Sequence, residues 1–188
     1  MYSKIEEAIY FMVKAYKGQR IKIENIDKCY HPMVVGMTIR DITNVEDITV
    51  AAILHDIFLD SEFGYEEIEV KFGTLVADLI QDLTEDMSIS KWLDRKKDLI
   101  KRLKSNFDIN VINIVIADKL HEMTILYDAF LKQGDKVWKN TNGSKEENCW
   151  MYREIYNIGK KAKANNKLLR RYNELLVKYF GEDNGENI

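Results

Sequence analysis

Three polar side chains stand where the surrounding sequence reads as core: His55 and Asp56 inside AAILHDIF, and Asp118 after the apolar run IVIA. An unpaired buried carboxylate costs several kcal/mol of desolvation, so something must compensate the charge. For either member of the doublet alone, an internal ion pair or a hydrogen-bonded core histidine is the simpler account, and Asp118 alone could be a structural aspartate paired with a buried arginine or backbone amides. A divalent cation is the alternative, because histidine nitrogen and carboxylate oxygen are ordinary ligands for transition metals. The combination shifts the balance. With His31 added, two nitrogens and two carboxylate oxygens could converge on one metal and leave positions for water and substrate.

The elements that must hold these residues are helices. One proline and nine glycines in 188 residues are few, and apolar residues recur at three-and-four spacing over long stretches. The first helix is expected over about residues 5–16, closed by Gly18, with a polar loop over 19–30. Pro32 suits the first turn of a helix and puts His31 at its mouth. Thr43 and Glu46 are spaced as a capping box before VEDITVAAILHDIF, which reads as one buried helix carrying the doublet. Two short helices joined at Gly73 follow, then an amphipathic helix over 90–104 whose lysines read as a solvated face. The longest helix, over 111–131, carries Asp118, Lys119, His121 and Glu122 as interruptions of its apolar character. A polar break over 134–148 leads to helices over 147–164 and 167–180, and the tail after Phe180 reads as frayed. The expectation is an all-α, single-domain bundle over 1–188, with a core of about 5–131 and a helical extension of about 145–180.

Composition narrows the partners. A formal charge of -3, from 28 basic and 31 acidic residues, suits neither a general nucleic-acid binder nor a polybasic membrane-surface protein. Cys29 and Cys149 form neither a disulfide framework nor a zinc knuckle. The charged amino terminus lacks a signal peptide's apolar centre, and no stretch nears the roughly 20 uninterrupted apolar residues of a spanning helix. A cytoplasmic location is the simplest reading.

The ordered set AIYFMVKAYKGQRIK, YHPMVVG, AAILHDIFLDS, KFGTLVADLIQDLTED and IADKLHEMTIL resembles the hydrolase domain of the RelA/SpoT alarmone enzymes and their small stand-alone relatives, within the HD phosphohydrolase superfamily. The resemblance covers about residues 5–126. It implies an HD-type helical bundle with His31, His55, Asp56 and Asp118 as metal ligands and manganese as the usual metal, iron, zinc or others being accepted by such sites. In that family an activated water attacks phosphorus and releases pyrophosphate from the 3′ position of guanosine tetra- or pentaphosphate. The expected partner is therefore a nucleotide or other small phosphorylated molecule.

The departures from the family fall outside the ligands. A Glu-Asp pair normally follows the doublet and serves the attacking water; here Leu59 replaces the glutamate and Asp60 remains. The basic loop has Ile21 and Lys22 where an arginine and a lysine are usual, with Arg20 one position earlier. Glu122 and Ile125 replace an asparagine and a threonine that help hold the nucleotide. The resemblance implies Asp60 as a catalytic candidate; Glu122 is a further one on its spacing from Asp118, and Arg20, Lys22 and Lys119 are candidate phosphate contacts. Glu122, four residues after Asp118, either stands in for the lost glutamate or pairs with Lys119. His121 reads as a packing residue or a support to the ligands. Two other functions stay open: a catalytically weak metal- and nucleotide-binding regulatory module, and a helical interaction domain with a purely structural polar network.

Overall fold

The structure is a computed structural model and describes residues 3–23, 25–106 and 108–182, leaving the expected frayed tail after residue 182 outside the described residues. Its elements are helices, apart from one pair of two-residue strands. The chain divides into two compact units, Met1–Ile21 with Asn25–Thr84, and Lys22–Glu24 with Glu85–Ile188. Among the described residues no helix is long and apolar enough to cross a membrane.

The first unit opens with α1 (Lys4–Ala15), whose start is fixed by a capping box: Ser3 Oγ accepts from Glu6 N, and the Glu6 carboxylate accepts from Ser3 N. Ala8 and Met12 on its inner face are fully buried. The expected polar loop contains a hairpin of β1 (Arg20–Ile21) and β2 (Ile26–Asp27), antiparallel with Arg20 opposite Asp27. Then come α2 (Tyr30–Arg40), α3 (Glu46–Ile53), α4 (Ile57–Asp60), α5 (Tyr65–Phe72) and α6 (Thr74–Leu83). The last two meet at Gly73, whose φ of 89° is open to glycine at little cost. α3 packs against α1, α2 and α6. Its approach to α2 is close: a Cβ on Gly36 would lie 2.3 Å from Ile53 Cγ1.

Two local expectations change. Glu46 does not close a box with Thr43; its Oε1 accepts from Ile5 N, and the helix begins after Val45. More consequentially, the run VEDITVAAILHDIF is not one helix. It breaks after Ile53, and His55 and Asp56 occupy the turn between α3 and α4.

The second unit is built on α7 (Trp92–Ser105), α8 (Ile109–Gln133), α9 (Lys145–Lys161) and α10 (Asn166–Phe180). Asp108, Ser144 and Asn165 cap the starts of α8, α9 and α10 through backbone amides. The polar break contains a 3-10 helix, Gly134–Asn140, that packs on α8 and places Trp138 stacked on Tyr179. α8 also packs against α9 and α10, so apolar side chains from Val111 to Ala129 are buried on several faces. The fold is all-α, as the periodicity predicts.

Candidate metal centre

In the first unit, the break after α3 gives the doublet its geometry. His55 Nδ1 lies 2.8 Å from the carbonyl of Ala52, and because a carbonyl only accepts, Nδ1 is the donor. The tautomer assigned from that bond leaves Nε2 of the neutral ring with its lone pair, 3.2 Å from Asp56 Oδ2. Two electron-rich atoms at that separation call for a positive charge, either a second ring proton or a metal ion. Two ligands each about 2.1 Å from one ion and at right angles would stand about 3.0 Å apart, so the spacing suits a shared ion. His31, the second residue of α2, places its ring 5.1 Å from that of His55, centroid to centroid. Both histidines are buried, while Asp56 keeps part of its side chain exposed.

Asp60, four residues after Asp56, is held from two sides by the hairpin region. Its carboxylate pairs with Lys28, and its carbonyl accepts from Gln19 Nε2. Burial pushes the Asp60 carboxyl above its ordinary range and the Asp56 charge adds to that, with Lys28 pulling the other way. Lys28 also lies over the ring of Tyr16, whose phenol is pushed up by burial and by Asp56 and Asp60 and so stays neutral. Neither Lys28 nor Tyr16 stood out in the sequence. The available signal was a cation three residues before His31, at the turn into the helix that carries it. Arg20 is committed to the hairpin, bonded to Asn25 and paired with Asp27, and Lys22 is exposed.

In the second unit, Asp118 and Lys119 are buried in the middle of α8. Lys119 Nζ lies 2.9 Å from Asp118 Oδ2 and 2.8 Å from Glu122 Oε1. Of the two roles open to Glu122, the geometry favours pairing with Lys119. His121 is buried as well. Asp118, like His31 and His55 of the first unit, is a buried side chain whose donor atoms suit a divalent metal.

Behind Lys119, Glu85 is clamped by Lys96 and by Arg95, and Lys96 is buried rather than part of a solvated face. Burial raises the Glu85 carboxyl, but Lys96, Lys119 and Arg95 together outweigh it and hold the group below its ordinary value of 4.5. A carboxylate lowered on folding stabilises above its unfolded value, and that contribution is lost as pH falls through the folded value. Glu85→Gln should therefore cost about 3 kcal/mol at pH 7 by leaving buried cations uncompensated. Urea unfolding should show the gap between variant and wild type narrowing as pH drops below 4.5; a gap independent of pH would reject the pairing as its source.

A family model described as HD domain matches residues 8–142. A probable guanosine-3′,5′-bis(diphosphate) 3′-pyrophosphohydrolase of Synechocystis sp. is 32% identical over 100 residues, 51% of this chain and 13% of that protein. The guanosine-3′,5′-bis(diphosphate) 3′-pyrophosphohydrolase of Mus musculus is 28% identical over 124 residues, covering 64% of this chain and 68% of its own. The chain thus spans a small part of the cyanobacterial relative and about two thirds of the mouse one. A solved structure described as a metazoan ortholog of SpoT that hydrolyzes ppGpp aligns with a TM-score of 0.78 over 97% of this chain and 98% of its own, at 21% identity. At that identity the likeness is one of fold.

Proposed function

This chain belongs to the HD domain family, and from that premise we propose that it is a metal-dependent phosphohydrolase acting on a guanosine polyphosphate or a closely related nucleotide, with His31, His55, Asp56 and Asp118 holding one divalent ion, manganese first. The observation that carries the reading is the His55 bond to Ala52, which turns Nε2 and its lone pair toward Asp56. The relatives named as guanosine-3′,5′-bis(diphosphate) 3′-pyrophosphohydrolases support the substrate class.

When bound, the ion would acidify a water and neutralise charge on the phosphoryl group. The protein's own residues do the rest. Ala52 fixes the tautomer of His55, as carbonyls and carboxylates commonly do for metal-ligating histidines. Lys119, set between Asp118 and Glu122, orients the Asp118 carboxylate and offers a positive charge for phosphate.

The two carboxylates considered for taking a proton from water, Asp60 and Glu122, are each engaged by a lysine. Together with Leu59, that pairing favours a slow enzyme and keeps a second reading in play, a regulatory module that binds metal and nucleotide. Protein purified without chelators and supplied with manganese should bind about one ion per chain and release pyrophosphate from guanosine tetraphosphate. Metal and nucleotide binding without product over hours would select the regulatory module, and no metal binding would reject both.

A further inference from the structure

The first unit must meet a polyanionic substrate with positive charge of its own, and its candidate from the basic loop, Arg20, is spent on the hairpin. Lys28 is not. Its ammonium pairs with Asp60, it sits 5.4 Å from the centroid of the Tyr16 ring, and its side chain remains 24% exposed. Its backbone is fixed at both ends, the amide donating to the Gln19 carbonyl and the carbonyl accepting from His31 N. The last of these bonds ties Lys28 to the first turn of α2, which carries the candidate ligand His31. Gln19 in turn donates to the Asp60 carbonyl, so the hairpin region and α4 hold the lysine in a frame rather than on a free tether.

We propose that Lys28 is a substrate-binding residue that presents its ammonium to a phosphate of the nucleotide, with Asp60 and Tyr16 as the residues that position it. The proposal rests on the phosphohydrolase reading for its site but not for its test. Asp60 here aims a cation instead of taking a proton, and the aromatic face beneath the stem restricts the rotamers the lysine would otherwise sample. A partly exposed ammonium already leaning on one carboxylate can be shared with an incoming phosphate oxygen without first being dragged from a dry core. Arginine keeps the charge but spreads it over a larger planar group of different reach, so it should substitute only in part.

The structural alternative is an ion pair that merely ties the hairpin region to α4. Lys28→Met keeps the length of the stem and removes the charge, and Lys28→Arg keeps the charge. With manganese-loaded protein and inorganic pyrophosphate as the probe, calorimetry should show Lys28→Met binding about tenfold or more weakly, with manganese content and circular dichroism at the assay temperature unchanged and with Lys28→Arg recovering part of the affinity. Where turnover is measurable, the loss should fall on KM more than on kcat. Wild-type affinity for pyrophosphate in Lys28→Met overturns the proposal, as does a loss seen only together with lost manganese or lost helical signal at the assay temperature. If the wild type binds pyrophosphate but hydrolyses no guanosine polyphosphate, the phosphohydrolase reading fails while the Met and Arg variants still decide the role of Lys28.

Discussion

His55→Ala is expected to weaken manganese binding by more than about a hundredfold and to lower pyrophosphate release by at least about a thousandfold. The first figure follows from the position of the residue: even partners that only orient a ligand are worth about 10- to 100-fold in affinity, and His55 is proposed as a ligand itself. The second follows because an ion in such a site supplies several kcal/mol of charge stabilisation, and about 1.4 kcal/mol is a factor of ten in rate. His55 is 3% exposed, so the substitution also leaves a small cavity, and circular dichroism with a melting curve must accompany the metal titration. Asp118→Ala, on the other unit, should give the same two losses. Equal manganese affinity in His55→Ala and wild type, both folded, would remove the histidine from the site.

The helices were legible because apolar spacing and punctuation agree along most of the chain. Gly73 separates two short helices, Pro32 sits in a first turn, and the run from Val111 to Ala129 needs burial on several faces. What periodicity could not see is the interruption at His55. Apolar residues continue at helical spacing on both sides of it, while the turn is marked by a side chain taking a carbonyl, an event with no local signature. The hairpin was missed for a related reason: strands of two residues are too short to show alternation.

Among the charged residues, spacing resolved only what is local. Glu122 and Lys119 lie three apart on one helix, and their pairing was one of two options that the sequence left open. Lys96 looked solvated because its partner, Glu85, lies outside its helix. Lys28 was passed over because its partner Asp60 is separated from it by two whole helices. Of the four candidate ligands, His55, Asp56 and Asp118 stand out as imidazole and carboxylate groups in apolar runs, where an uncompensated charge would be costly, and His31 comes with the family resemblance.

Leu59→Glu is expected to raise kcat by about 10²- to 10⁴-fold, the usual worth of a positioned general base, with little change in KM. Leu59 lies in α4, three residues after Asp56, which puts a carboxylate introduced there on the face of the turn that holds the candidate ligand. Asp60 and Glu122 each hold a lysine, and a glutamate at 59 would add a carboxylate beside Asp60. It would also crowd a third carboxylate beside Asp56 and Asp60, where the Asp56 charge already pushes Asp60 up. The same repulsion acts on the new carboxylate, and a bound divalent ion would act against it. Leu59→Gln separates the two contributions, since an amide can hold a water but cannot accept its proton: water positioning alone would make Gln as fast as Glu, and proton acceptance would make Glu faster. A kcat unmoved by glutamate, in folded protein with manganese bound, would mean that slow turnover arises elsewhere in the site.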